Sequence, residues 1–306
     1  MKEGLIYPGG EFKSRAEINR QLEMQDAGFR RLGGDEPKPA GYWLDRFSRR
    51  SKEVGQSKQT MEFDFDKTPI INFMSDLHIG APETDYDRIA DELRAIKETP
   101  NSYVMFVGDM IDAFLWNPSQ LEDMEQVPEQ IELMKEIIRD LHDNDRLLGI
   151  IPGNHEDWQR RAGVNIYELI TPDEVPVQYG VNYITAHVND IDYRVTMAHQ
   201  LPGHSMYNHT HPQMREDHFG AEGADIIIGG HTHKKGTSMQ YKKLHGGESR
   251  PVHYVSLGAY KAQDGFQAKN GRHKLDTEEM GGFAIRLDDT EKNVLVGDIV
   301  EINSIS

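Results

Sequence analysis

Residues 68–80 read Thr-Pro-Ile-Ile-Asn-Phe-Met-Ser-Asp-Leu-His-Ile-Gly. The stretch 68–75 is a short apolar run of strand length, and it stops on Asp76 and His78. Two residues at i, i+2 just beyond a strand can point to the same open edge. The same phrase recurs down the chain. Residues 85–98 place Ile89, Leu93 and Ile96 on one helical face, and 102–107 (SYVMFV) reads as a buried strand ending in Gly108-Asp109. Residues 128–142 form a second amphipathic pattern, and 146–151 (RLLGII) a strand ending in Pro152-Gly153-Asn154-His155. This is β-α-β-α-β, with polar residues at the carboxyl end of each strand, where open α/β sheets bind ligands.

The second half is richer in strands. Residues 182–188 and 193–198 flank Asn189-Asp190 and read as a hairpin. Residues 224–228 read as a buried strand running into Gly229-Gly230-His231-Thr232-His233, and 252–257, 282–287 and 294–300 as further strands. Upstream, residues 12–58 carry eleven Lys/Arg against seven acids, although the whole chain of 306 residues has a formal charge of −17. Residues 14–28 read as a capped helix with Gly28 as its stop, and 42–54 as a second short helix burying Trp43, Leu44 and Phe47. The expected organisation is a mostly helical, locally basic N-terminal extension over 1–67 and a catalytic domain over 68–306.

Composition excludes several classes. With no Cys, disulfide scaffolds, thiolate zinc, iron–sulfur clusters and thiol catalysis are out. The acidic balance opposes a broad basic face that coats duplex DNA. No apolar run reaches membrane-spanning length, and the start lacks a signal-peptide core, so a cytoplasmic protein without a membrane partner is expected.

Five strand ends therefore carry potential ligands: Asp76-x-His78, Gly108-Asp109-x-x-Asp112, Gly153-Asn154-His155-Glu156, His199 and Gly230-His231-x-His233. Oxygen and imidazole donors without sulfur suit Mn, with Fe, Zn, Ni or Mg as alternatives. One carboxylate such as Asp109 can bridge two cations, and two cations ~3.5–4 Å apart clamp an in-line displacement at phosphorus.

In this order the motifs resemble the calcineurin-like metallophosphoesterase family over about residues 68–260. The resemblance implies a four-layer α/β/β/α sandwich with two divalent metal ions at one edge. It implies Asp76, His78, Asp109 and His233 on the first metal, and Asp109, Asn154, His199 and His231 on the second. It further implies attack by a metal-bridging hydroxide, with Asn154 polarising the phosphate, His155 assisting the leaving oxygen and Asp112 orienting His155. The Ser75–Gly80 motif resembles DNA-repair exonuclease subunits, and the whole resembles uncharacterised phage-encoded members. Asp112 is followed by Ala113-Phe114 where protein phosphatases carry Arg-Gly.

The expected function is a phosphodiesterase on nucleotides or on single-stranded or terminal nucleic acid. A phosphomonoesterase on a small molecule or phosphoprotein, and a non-catalytic scaffold, are the alternatives. His204, His209, His211, His218 and Arg215 lie in a glycine-flanked insertion after His199. A flap there would let His204 or Arg215 touch phosphate; a solvated loop is the alternative. Trp116 and Trp158 are candidates for base stacking or for packing, His187 reads as structural, and Lys234-Lys235 as phosphate-steering or a solvated turn.

Overall fold

The computed structural model describes residues 59–113, 126–161, 163–220, 223–243, 246–247, 249–262 and 274–305, with positions 40, 41, 44 and 48. The expected helix over 14–28 lies outside these residues. Of 42–54, only Leu44 and Ser48 are described; both are helical, and Leu44 is exposed rather than buried. The chain divides after Ser57 into two units, and the architecture here is that of the second.

Among the described residues, eleven strands form two sheets. β1 (Gln59–Phe65), β5 (Asn182–Val188), β6 (Ile191–Ala198), β7 (Ile226–Gly229), β8 (Gly236–Lys243) and β9 (Ser249–Ser256) make the first, in the order β1-β5-β6-β7-β9-β8. β2 (Ile70–Met74), β3 (Ser102–Val107), β4 (Leu147–Ile151), β10 (Phe283–Leu287) and β11 (Val294–Asp298) make the second, ordered β11-β10-β2-β3-β4. β2, β3 and β4 run parallel, as do β6, β7 and β9, so each trio ends at one edge. The helices are α1 (Tyr86–Glu98), α2 (Val127–Asp143), α3 (Asn154–Arg161), α4 (Ile166–Ile170), α5 (His211–Phe219) and α6 (Ile299–Ser304).

Strand alternation builds the layers. Ile70, Met74, Val104, Phe106 and Ile150 pack on Ile89, Ile96, Met134, Ile138 and Ile299 of α1, α2 and α6. Their neighbours Ile71, Phe73, Met105, Val107 and Ile151 face Ile184, Tyr193, Val195, Ile226 and Val255 of the other sheet. Ile227, Val252 and Tyr254 cover the far face of that sheet. There Gln213 of α5 donates to the Val255 carbonyl at 3.0 Å, and the Tyr254 hydroxyl donates to Asp217 at 2.6 Å. This is the expected α/β/β/α order. Each fully buried large apolar side chain contributes about 1.5–3 kcal/mol, so both faces of both sheets are held.

Four local differences have physical causes. β1 falls inside the stretch read as an extension, yet it pairs in parallel with β5 from Gln59↔Asn182 to Phe65↔Val188. β8 alternates weakly because it is an edge strand with much of both faces in solvent. The expected strand over 294–300 ends at Asp298, which begins α6. The insertion after His199 contains α5, whose buried face is mostly polar: Gln213, Glu216 and Asp217 beside Pro212. Among the described residues, no helix is long and apolar enough to cross a membrane.

Candidate metal centre

The two parallel trios deliver their polar ends to one place. The first two motif loops run side by side, with Asp76 N–H donating to the Gly108 carbonyl and His78 N–H to the Asp109 carbonyl, both at 3.0 Å. Five candidate ligands sit in left-handed backbone: Asp76, His78, Asp109, His231 and His233, with φ between +48° and +67°. That region costs a non-glycine residue about 1–2 kcal/mol, and such strain concentrates at functional sites. Gly153 is required by close approach, since a Cβ there would lie 2.1 Å from the Asp109 amide nitrogen.

Three overlapping groups of ligand atoms result. Asp76, His78 and His233 form one, Asp109, His199 and His231 another, and His78, Asp109 and His155 a third; within each, the donor atoms lie within 4.8 Å of one another. Asp109 belongs to two of them. Asn154 joins the second through Oδ1, 3.2 Å from His199 Nε2.

The hydrogen bonds show what these atoms are prepared to hold. His78 Nδ1 donates to Asp112 Oδ1 at 2.8 Å, which turns the Nε2 lone pair towards His233 Nε2, 3.1 Å away. Burial, reinforced by the Lys261 charge, pushes His78 down to about 3, so it is a neutral imidazole at pH 7. His199 Nδ1 donates to the Val107 carbonyl at 2.7 Å, and Nε2 then faces Asp109 Oδ2 at 3.2 Å and the Asn154 oxygen. Burial opposes a charge on His199, but the Asp109 and Asp76 carboxylates outweigh it and raise the group to about 10. Asp76 Oδ1 is buried with no hydrogen-bond donor, 3.2 Å from His233 Nε2. Burial alone would raise Asp76, yet His233 and His199 hold it below the usual carboxylate range. Converging lone pairs and an orphaned buried carboxylate oxygen fit cations, because a cation satisfies acceptors that have no donor.

Asp112 plays a double part. Its carboxylate holds His78, and its main-chain carbonyl meets His155 Nδ1 at 2.5 Å, whereas Oδ1 stands 3.7 Å from that nitrogen. The expected carboxylate–His155 pairing is thus mostly a carbonyl–His155 pairing. Lys261, 3 % exposed, donates to Asp112 Oδ1 at 3.0 Å from the loop after β9. No local pattern in Gly258-Ala259-Tyr260-Lys261 announces this role. Glu156 caps the second motif by accepting from the Met110 and Ile111 amides at 2.7 and 3.0 Å, and from the Tyr167 hydroxyl at 3.0 Å.

The insertion is placed less directly. His204 is exposed, and Arg215 is exposed on α5 with its guanidinium 5.0 Å from the Phe219 ring. No described contact joins either to the ligands. His209 Nδ1 instead meets the Lys235 carbonyl at 2.9 Å, tying the insertion to the strand that follows His233. Lys235 is tied to Asp298 and the Met280 carbonyl, and Lys234 to the Ser205 carbonyl. Trp158 stacks at 34° on His155, with ring centroids 4.3 Å apart. His187 of β5 pairs at 2.7 Å with Asp192, its cross-strand partner on β6. Trp116 lies outside the described residues.

A family model described as calcineurin-like phosphoesterase matches residues 70–235, more than half of the chain. The chain belongs to the calcineurin-like phosphoesterase family. The matched span begins at β2 and ends just past His233, so it takes in every candidate ligand. Among solved structures, this family member is similar to a metallophosphoesterase from Sphaerobacter thermophilus, at 13 % identity over 76 % of this chain and 88 % of that one, TM-score 0.38. It is also similar to a conserved protein of Streptococcus pneumoniae described as a predicted phosphoesterase (13 %, 76 % and 90 %, 0.33). A third is Vacuolar Protein Sorting 29 of Cryptosporidium parvum (15 %, 76 % and 98 %, 0.33). The comparison with curated proteins gives no match.

Proposed function

We propose that this family member is a dinuclear metal-dependent phosphodiesterase acting on nucleotide or nucleic-acid phosphodiesters. The observation that carries it is the chain of overlapping ligand groups: Asp109 lies with His199 and His231 in one and with His78 and His155 in another, and His78 lies in turn with Asp76 and His233. Bound there, two divalent cations would polarise a phosphoryl group and lower the pKa of a water at its side. Asp76, His78, His233 and Asp109 would hold one, and Asp109, Asn154, His199 and His231 the other; Mn²⁺ suits this oxygen–imidazole set.

The chain's own residues then divide the work. Asn154 presents its side-chain amide beside His199, where it fixes a phosphoryl oxygen. His155 has Nδ1 anchored on the Asp112 carbonyl, so Nε2, when protonated, delivers a proton to the departing alkoxide. Such transfers supply about 10²–10⁴-fold. The stacked Trp158 and the carbonyl together hold the imidazole in one orientation. Asp112 and Lys261 keep His78 in its ligand tautomer.

The diester preference is supported by charge. Lysines near the site are engaged elsewhere, Lys261 on Asp112 and Lys235 on Asp298. A monoester dianion asks for more neutralisation than a singly charged diester. Paired assays with Mn²⁺, bis-p-nitrophenyl phosphate against p-nitrophenyl phosphate, test the proposal. Faster turnover of the diester is expected. Activity confined to the monoester overturns the substrate class, and inactivity on both together with failure to bind metal overturns the whole proposal.

A further inference from the structure

Beside the second ligand group lies an open cleft of about 170 Å³. Asn154 and His199 of that group line it together with Asp157, Tyr179 and Gln200; His199 is buried and Gln200 exposed. We propose that this cleft is a nucleobase subsite in which Tyr179 is the stacking wall. The proposal rests on the phosphodiester reading above and names the side of the phosphate on which the nucleoside lies.

The ring of Tyr179 is only partly buried, yet it is braced. The Arg160 guanidinium stands 4.7 Å from its centroid, and Arg160 is not a lining residue, so it supports the ring from outside the cleft. Tyr167 meets it edge-on, with centroids 6.2 Å apart at 86°, and is itself fixed by Glu156. Arg160 is held in turn by Asp157, Nε to Oδ1 at 3.4 Å. A wall that is already ordered loses little entropy when a flat ligand stacks on it.

The rest of the lining suits a heteroaromatic edge. Asp157 offers a carboxylate acceptor, and Gln200 offers both a donor and an acceptor, which complement exocyclic amino and ring-nitrogen groups. A hydrocarbon chain would desolvate Asp157, Asn154 and Gln200 without pairing them. The cleft takes one ring system and no paired base, so the ligand is a nucleotide or an unpaired strand end. The Asn154–His199 pair joins it to the second ligand group, where the phosphate attached to that nucleoside would lie.

The test is a calorimetric titration of Mn²⁺-loaded protein with AMP and with ribose 5-phosphate, in a His155→Ala background so that neither ligand is consumed. AMP is expected to bind about tenfold tighter than ribose 5-phosphate, within the range that stacking one base provides. Tyr179→Ala is expected to shrink that ratio to within twofold, and Tyr179→Phe to keep it. Equal binding of the two ligands with Tyr179 in place, or a ratio that survives Tyr179→Ala, overturns the subsite. Diester turnover by the unsubstituted protein without an AMP preference counts against the subsite alone. An AMP preference without diester turnover counts against the phosphodiesterase reading alone.

Discussion

The two sheets contribute different chemistry to one edge. The β2-β3-β4 trio supplies every oxygen ligand, Asp76, Asp109 and Asn154, along with His78 and His155. The β6-β7-β9 trio supplies three imidazoles, His199, His231 and His233, and one cation, Lys261. Asp76, His78 and Asp109 of the first set are sealed at 0–1 % exposure, as is His199 of the second at 5 %, whereas Asn154, His231 and His233 are half-buried. The hard, charged donors are preorganised deep in one sheet, and imidazoles close over them from the other. Cations bound between them would staple the two sheets together.

The sharpest way to break this division is Asp109→Asn, which weakens the one residue proposed to hold both cations. Turnover is expected to fall to that of the metal-free protein and bound metal from two ions to one, read by elemental analysis. His155→Ala tests the reacting edge instead. It is expected to lower kcat by about 10²–10⁴-fold while two ions stay bound; unchanged turnover would remove His155 from the chemistry.

Lys261→Met asks whether the second sheet also supports the first. Removing a group that orients a ligand through its neighbour typically costs about 10–100-fold in metal affinity, and a loss of that order at the His78 group is expected in a metal titration. Chelation sharpens the staple itself. An ion at about 100 times its Kd adds ~2.7 kcal/mol, so EDTA is expected to lower Tm by about 5–11 °C at 2–4 °C per kcal/mol. No shift would mean the sheets are held by Ile71, Phe73 and their partners alone.

The smallest effect is expected at the rim of the first sheet. The hydrogen bond from His187 to Asp192 raises the His187 pKa. A raised folded-state pKa gives stability that is present below the ordinary histidine value and lost as pH rises through the folded one. Asp192→Asn should move the His187 NMR titration downward and leave Tm almost unchanged, because the pair is exposed.

Six of the seven candidate ligands were legible because each follows an apolar run and is punctuated by glycine or by i, i+2 spacing; His199 is marked only by its place at the end of a strand. Helices α1 and α2 were legible for their periodic apolar faces. α5 was not, because its buried residues are Pro212 and the polar Gln213, Glu216 and Asp217, and partners such as Tyr254, Lys242 and the Val255 carbonyl make that face worth burying. β1 was read as part of the extension, since its alternation means a strand only once β5 is there to pair with it.

Sequence alone determined which residue types stand at the strand ends and therefore which ligand chemistry is on offer, because strand and turn signals are local. Tertiary structure decided who faces whom. Asp112 lies 34 residues from His78, 43 from His155 and 149 from Lys261 along the chain. Parallel pairing of β2, β3 and β4 makes Asp112 the partner of two histidines through two different oxygens, and packing of the two sheets brings Lys261 to it. Tyr179 became a candidate wall in the same way: its neighbours Arg160 and Tyr167 reach it only through the fold.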